Sequence, residues 1–452
     1  MSTKKKIIFT IFILLFLTIM LSFSREDEEQ LQHETWKKQG ERTMGLDENG
    51  VLSTHLPILI IHNAGETIPG QIRENNEKKI YPYSIINNAD GVNRSDDEPK
   101  DRGKALTSIR GNSSREYAKK QYLFKLVDET GNSEKKEMLR LPKESTWVLN
   151  GSMIDRSQIR NYFLYNLSYQ IMGYAPRSRM CELMLEDENG KLVYMGLYTL
   201  SEKPKVSKNR LNLTKYDPSH EETSYLLQCN THPSKYQFEH LLFVDANNYE
   251  LTYPQEAEVT QKTMDYIQTD ITVIEKKLFD ASISHDWSQV EEAIDYDSFI
   301  DYFLINEFFQ NYDAGRKSTY VYKNLGGKLQ IGPVWDCDGA LDNYVEREIE
   351  IEMLEMNGTT FYRYLMDDPK FVEQCIDRYE ELRRYYLSES YLLEFVNETV
   401  EYLGDAPIRN AQKWYAGNTD VYYEDLEKIR TFIIERGEWM DNNFAEQIRI
   451  VN

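Results

Sequence analysis

The sequence predicts an α+β protein in which a β-rich first half is followed by an α-helical second half. Between residues 56 and 228, short apolar and β-branched runs are separated by turn-forming residues, a pattern typical of strands. After residue 259, apolar residues recur every three to four positions, the spacing of amphipathic helices. We therefore expect a bilobal arrangement, in which a small sheet lobe packs on a larger helical lobe with a cleft between them.

The β-rich half contains several predicted strands and one predicted helix. The strands are expected at residues 56–62, 105–110, 122–127, 180–185, 194–200 and 225–228. The helix is expected at residues 155–172, because apolar residues from Ile159 to Ile171 recur at helical spacing and Gly173 can end it. Residues 75–104 are rich in Asn, Asp, Glu, Lys and Gly, and are expected to form a solvated surface insertion. Helical stretches are expected at 259–276, 297–310, 370–386 and 423–447.

The amino terminus has the charge pattern of a targeting segment. Lysines at positions 4–6 precede an apolar run at 7–23, which as a helix would span roughly 26 Å. Ser22 and Ser24 form a small-x-small site, so residues 1–24 are expected to be a signal anchor or a cleaved signal peptide. Residues 25–54 lack apolar periodicity and are expected to be a polar linker. The protein is therefore expected either at the cell membrane, with its globular part outside the cytoplasm, or secreted.

The charge balance limits the partners. The chain carries 53 basic and 75 acidic residues, a formal net charge of −22. Such a surface repels nucleic-acid phosphates, so no nucleic-acid partner is expected. It is compatible with basic protein substrates or divalent cations, and also with simple solubility. The four cysteines lack the spacing of a zinc site, and either one disulfide or buried free thiols remain open.

Three aspartates between residues 305 and 342 carry the strongest chemical pattern. A helix ending at Asn311 delivers Asp313 to a loop, and a hairpin turning at residues 326–327 returns the chain to Asp336 and Asp338. This order brings carboxylates together, as phosphoryl transfer requires: one orients the attacking hydroxyl and others hold metal on the phosphates. The same acids could instead cap helices and turns. The D-x-D pattern could also ligate metal in a glycosyltransferase or a calcium loop.

A basic hairpin is a second candidate site. Arg110 is followed by a turn of small residues at 111–114, and Lys119 and Lys120 begin the returning strand. Backbone N–H groups of such a turn can approach phosphates while a cation neutralises their charge. The glycine spacing is not that of a Walker A loop, and an ordinary hairpin with solvated lysines is the alternative.

Six motifs follow one another at residues 110–120, 155–161, 174–176, 194–203, 306–313 and 335–338. In this order they resemble those of the CotH family, the spore coat protein H type of atypical protein kinases, over residues 56–343. The resemblance implies a divergent protein-kinase-like fold that binds ATP with Mg²⁺ or Mn²⁺. It also implies phosphorylation of serine or threonine on secreted, envelope or coat proteins, with residues 55–256 as the nucleotide-binding lobe and 257–452 as the catalytic lobe.

The resemblance also implies roles for individual residues. Asp313 matches the catalytic-loop aspartate, and Asp336 matches the metal-binding aspartate with Asp338 beside it. Lys120, or less closely Lys119, matches the phosphate-facing basic position.

Glu202 and Lys203 fall where the chain of such proteins crosses between the lobes, so they are expected to line the nucleotide cleft. The chain departs from the family pattern at Cys337, where an aromatic residue is usual, and the helix at 155–172 lacks a glutamate to pair with a phosphate lysine. A catalytically weak coat scaffold and a phosphotransferase acting on a wall polymer or small molecule remain alternatives.

Overall fold

The computed structural model describes residues 45–71, 77–88, 91–230, 237–238, 248–255 and 259–450. The predicted signal segment and residues 25–44 of the predicted linker lie outside the described residues. Within the described part of the chain, no helix has the length and apolar character needed to cross a bilayer. The end of the predicted linker is folded, because Gly45–Leu46 pairs with Leu52–Thr54. Ordered structure thus begins by residue 45 rather than at residue 55.

The α+β prediction is confirmed, since the described residues contain both strands and α-helices in quantity. The strands are β1 (Gly45–Leu46), β2 (Leu52–Thr54), β3 (Ile58–Ile61), β4 (Lys79–Ile86), β5 (Asn93–Arg94), β6 (Asp101–Arg110), β7 (Gln121–Val127), β8 (Lys136–Met138), β9 (Leu141–Glu144), β10 (Thr146–Asn150), β11 (Ser178–Glu186), β12 (Leu192–Glu202), β13 (Tyr225–Asn230), β14 (Gln237–Phe238), β15 (Asn248–Tyr253), β16 (Thr319–Lys323) and β17 (Leu329–Ile331). The helices are α1 (Arg160–Met172), α2 (Gln261–Ser284), α3 (Ser288–Ala293), α4 (Tyr296–Phe308), α5 (Tyr362–Leu365), α6 (Pro369–Arg383), α7 (Glu389–Leu403), α8 (Ala406–Trp414) and α9 (Asp420–Ile450).

Seven strands of the first half close into a barrel. Their order is β10-β12-β11-β3-β4-β6-β7, and β10 completes the closure by pairing with both β12 and β7. Neighbours are antiparallel except β3 and β11, which run parallel. Phe124, Trp147 and Leu183 are among the buried side chains that fill the interior. Because β6 and β7 pair Arg110 with Gln121, residues 111–120 form a connection at one end of the barrel.

The prediction of a surface insertion at residues 75–104 was wrong for residues 79–86 and 101–104, which belong to the barrel strands β4 and β6. Residues 79–86 form β4, which lies between β3 and β6 in the barrel. Tyr81, Tyr83 and Ile85 alternate along the strand and are buried in the barrel core. The polar composition of the flanking residues concealed this alternation, which is the pattern of a half-buried strand.

The predicted helix at 155–172 starts later than expected. Its first residues form a turn in which the Gln158 N–H donates to Asp155 Oδ1 over 3.1 Å, and Gln158 has a φ of 62°. This left-handed backbone is incompatible with an α-helix, so α1 begins at Arg160. It ends as predicted at Gly173, whose φ of 74° suits glycine.

A second sheet has the order β14-β15-β13-β16-β17. It joins strands from both sides of the expected lobe boundary at residues 256–257, because β13 pairs with β16. The hairpin of β16 and β17 turns at Gly326 and Gly327 as predicted. The long helices α2, α4, α6 and α9 lie where helical spacing predicted them.

The largest apolar core joins α1 to the second sheet and to the helices. In this core the ring of Phe163, on α1, lies 5.7 Å from that of Phe309 and 5.0 Å from that of Phe395. Although α1 belongs to the β-rich half in sequence, it therefore packs with the helical half. This packing brings the amino-terminal end of α1 beside the loop that follows β17.

Candidate active site

A cleft of about 390 Å³ lies between the end of the barrel and the loops of the second sheet. Arg110 and Lys203 line it from the barrel side. Asp313, Asp336 and Asp338 line it from loops of the second half. The structure therefore brings five of the predicted site residues into one cavity.

Asp336 and Asp338 are oriented by serine hydroxyls from two different segments. Ser318 Oγ donates to Asp336 Oδ2 over 2.9 Å, and Ser152 Oγ donates to Asp338 Oδ2 over 2.7 Å. In each carboxylate, Oδ1 accepts no hydrogen bond from the described residues. Asp336 has a φ of 62°, a left-handed conformation that aspartate tolerates better than most residues. Each carboxylate is thus held by one oxygen while the other remains available to a ligand.

The electrostatics of this pair fit a divalent cation. Burial, followed by the negative charge of Asp336, raises the pKa of Asp338 to about 7. A cation would relieve this repulsion, and Mg²⁺ in phosphoryl-transfer sites is held by one or two carboxylates together with substrate phosphates and water. Among the described residues, no group of three or more His, Cys, Asp or Glu side chains forms a ready-made metal site. Asp336 and Asp338 therefore suit a metal that arrives with phosphate ligands.

Asp313 is fixed on the loop that follows α4. The Asn311 N–H donates to the Asn306 carbonyl over 2.9 Å, and the Lys317 N–H donates to the Asp313 carbonyl over 2.9 Å. The Lys317 ammonium lies 3.3 Å from Asp313 Oδ1. Burial raises the pKa of Asp313 to about 6, with Lys317 opposing the rise and Asp336 adding to it. Such a carboxylate can accept a proton near neutral pH.

The amino-terminal end of α1 holds the backbone of the loop that carries Asp336 and Asp338. The Cys337 N–H donates to Asn161 Oδ1 over 2.8 Å. Arg160 Nε donates to the Ala340 carbonyl over 2.9 Å, and its Nη2 donates to the Leu341 carbonyl over 3.2 Å. Two adjacent side chains of one helix therefore hold this loop between its two aspartates and at its carboxyl-terminal end.

Arg160 is itself held by two buried carboxylates. Its Nη1 lies 2.8 Å from Asp155 Oδ1 and 2.5 Å from Asp425 Oδ2, where Asp425 belongs to α9. These contacts were not predicted from the sequence, although the polar residues Asp155, Arg160 and Asn161 at the start of an apolar helix were a signal. Polar groups buried at such positions need specific partners.

The barrel side of the cleft is basic. Arg110 Nη1 donates to Gln121 Oε1 over 2.9 Å, and its guanidinium lies 5.7 Å from the ring of Trp335. Lys203 follows β12 directly and lines the same wall. Arg110 and Lys203 thus face the three carboxylates across the cleft, with Lys78 and Arg115 in the same lining. This arrangement is suited to binding phosphate groups.

Lys119 and Lys120 do not line the cleft. Lys119 is only 1% exposed, and its ammonium donates to Gln158 Oε1 and to the Leu197 carbonyl, each over 2.7 Å. Burial lowers the pKa of Lys119 to about 7. Lys120 donates to the Arg115 carbonyl over 2.6 Å. Of the four predicted basic residues, Arg110 and Lys203 line the cleft, and these two lysines do not.

Glu202 also differs from the expectation. It is fully buried, 2.8 Å from Arg177 Nη2 and 3.5 Å from Arg210 Nε, and does not line the cleft. This buried ion pair ties the end of β12 to the chain on either side. The neighbouring residue Lys203 points to the cleft instead, because successive side chains at a strand end face opposite sides.

Glu307, next to Asn306 in the predicted motif, is structural. It is fully buried on α4, and its Oε1 lies 2.6 Å from Arg436 Nη2. The backbone N–H groups of Glu355 and Met356 also donate to its carboxylate. Glu307 thereby ties α4 to α9 and to the segment that precedes α5.

Carboxylates that face cations across a cleft are typical of the class of enzyme that transfers phosphate groups. The comparisons with known proteins agree with this class. The family model described as CotH kinase protein matches residues 107–440, most of the chain. The chain therefore belongs to the CotH kinase family, and this membership supports a kinase or phosphotransferase activity. The search of curated proteins returned no match.

Proposed function

We propose that this protein is a CotH-type protein kinase with a divergent, kinase-like bilobal fold. In this proposal it transfers the γ-phosphoryl group of ATP to serine or threonine of a secreted, envelope or spore-coat protein. The observation that carries the proposal is the position of Asp313, a half-buried carboxylate with a raised pKa in the same cleft as Asp336 and Asp338. Phosphoryl transfer requires one carboxylate to orient the acceptor hydroxyl and others to hold metal on the nucleotide phosphates.

The reaction assigns each residue a role. The acceptor hydroxyl oxygen forms a bond to the γ-phosphorus as the bond from that phosphorus to the bridging oxygen of ADP breaks, and ADP leaves with the electron pair. Asp313 orients the hydroxyl and takes its proton. Asp336 and Asp338 would hold Mg²⁺ or Mn²⁺, which when bound neutralises charge on the nucleotide phosphates. Arg110 and Lys203 bind the phosphates from the barrel side.

We propose an extracytoplasmic location, either anchored through the amino-terminal segment or secreted. The support is the sequence pattern of lysines at positions 4–6 followed by the apolar run at 7–23. The acceptor is then a protein outside the cytoplasm. The net charge of −22 favours an acceptor with a basic surface and disfavours a nucleic-acid partner. A reporter that is active only in the cytoplasm, fused after Asn452, should stay silent. Clear reporter activity would contradict this location.

The activity test uses the full-length chain with labelled ATP and Mg²⁺ or Mn²⁺. Candidate acceptor proteins, wall polymer and small metabolites are supplied together and then separated. Label in protein supports the proposal, while label only in polymer or small molecules identifies a phosphotransferase of another specificity. If no fraction of the wild-type reaction contains more label than the same fraction from an Asp336→Asn control, the result contradicts the kinase proposal and favours the scaffold alternative.

A further inference from the structure

A second cavity, of about 1100 Å³, opens beside the active-site cleft. The two share the wall residues Tyr117, Ile154, Tyr344 and Val345, so they adjoin one another. The ring of Tyr344 lies 4.5 Å from that of Tyr312, the residue before Asp313. The second cavity therefore adjoins the cleft on the side of the proposed base.

The walls of this cavity contain apolar side chains, and a hydrogen bond joins two of the segments that form them. Met153, Val421 and Tyr415 line it together with the shared residues. Tyr415 OH donates to the Met153 carbonyl over 3.0 Å, which joins the turn before α1 to the end of α8. Val345 is 61% exposed at the junction of the two cavities. Together with the partly exposed Met153, Val421 and Tyr415, it offers apolar contact area to a bound chain.

The charges in the cavity favour a basic ligand. Asp342 is paired with Lys428 over 3.0 Å. Glu348 and Glu424 form no ion pair with the described residues, and neither does Arg156. Arg347 and Asp425 also line the cavity, but they are paired with Glu355 and Arg160. The two unpaired carboxylates against one unpaired guanidinium therefore leave the cavity net acidic. A bound cationic side chain would meet more attraction than repulsion here.

We propose that this cavity docks the acceptor polypeptide, as an extended segment with an apolar residue and a basic residue near its serine or threonine. The inference rests on the proposed kinase function. A nucleotide held by Arg110 and Lys203 fills the barrel side of the cleft, so an acceptor must approach Asp313 from the other side. Its flanking residues then need room, and the volume exceeds that of most small-ligand pockets.

The test measures binding of two synthetic peptides to the full-length chain with Mg²⁺ and a non-hydrolysable ATP analogue. Both peptides carry alanine at the acceptor position and a leucine beside it, and they differ only in having lysine or glutamate as the flanking charges. We expect the lysine peptide to bind at least tenfold more tightly than the glutamate peptide. The double variant Glu348→Lys with Glu424→Lys should remove this preference. Val345→Asn, which removes the apolar contact without adding charge, should weaken binding of both peptides.

Matched controls are available on exposed surface outside the cavity. Glu446→Lys lies on α9 like Glu424, and Val193→Asn replaces another exposed valine. Both should bind the lysine peptide as the wild type does. If the wild type transfers phosphate to protein but shows no peptide preference, or the controls lose as much binding as the cavity variants, the docking assignment is overturned and the kinase proposal stands. If nucleotide binding and transfer are both absent, both proposals fail.

Discussion

Replacing Asp313 by asparagine should make the protein more stable and less active at neutral pH. The carboxyl is 23% exposed, and its pKa rises from 3.8 to about 6 chiefly through burial. Below about pH 3 it is protonated in both the folded and unfolded chains. Between about pH 4 and pH 6 the unfolded chain releases the proton that the folded chain keeps, so stability is lost as pH rises through this window.

The size of the effect follows from the pKa difference. A tenfold change in proton affinity corresponds to about 1.4 kcal/mol, so the wild type should lose up to about 3 kcal/mol by pH 7.5. Asparagine has nearly the same shape and does not ionise. Asp313→Asn should therefore be more stable than the wild type at pH 7.5 and similar at pH 4. Turnover should fall about 10²-fold or more, because the acceptor proton loses its base.

Urea unfolding of the full-length chain, without metal and at pH values from 4 to 7.5, measures the stability difference. Calorimetry of Mg-ATP binding and a turnover assay complete the comparison. The control is Asp286→Asn, an exposed aspartate whose pKa is lowered by Ser288 and whose loss should bring no gain. Equal stability of Asp313→Asn and wild type at pH 7.5 would refute the desolvated position of Asp313. Unchanged turnover would refute its role as base.

Three further results are expected. Asp336→Asn, which keeps a residue tolerant of φ near 62°, should lose Mg²⁺-dependent ATP binding in calorimetry, and unchanged binding would place the metal elsewhere. Arg110→Ala and Lys203→Ala should each weaken nucleotide binding about tenfold or more, whereas Lys120→Ala should not. Weaker binding in Lys120→Ala alone would instead support the phosphate-facing role that the family resemblance implies for Lys120. Arg160→Met should lower the free energy of unfolding by about 3–5 kcal/mol, because it leaves two buried carboxylates unpaired; a loss within 1 kcal/mol would contradict the network.

The carboxylates of the site were predictable because their signals are local. Asp313 lies on the loop directly after a helix, and the hairpin of β16 and β17 leads the chain back to the loop that carries Asp336 and Asp338. The paired glycines at 326–327 fix the turn of that hairpin. Each step depends on neighbouring residues alone, so the sequence contained enough information to place these acids together.

The barrel side of the site was harder to predict because it depends on distant pairings. Closure requires β10 to pair with β7 and β12, and β3 to lie parallel to β11, contacts that leave little local trace in the sequence. The orientation of adjacent residues depends on that closure. Lys119 turns into the protein toward Gln158, while Lys203, next to the buried Glu202, faces the cleft. Composition and spacing cannot predict which of two adjacent polar residues is buried and which lines the cleft.

The contacts of Arg160 show why the site needs a buried ion network despite its energetic cost. The loop at 336–341 carries two mutually repelling carboxylates, and Asp336 and Leu341 both have positive φ values. Such a loop would relax unless its backbone were held from outside. Arg160 supplies donors to the end of this loop, while Asp155 and Asp425 neutralise its charge. Since Asp425 lies on α9, the carboxyl-terminal helix contributes to the geometry of the site without lining the cleft.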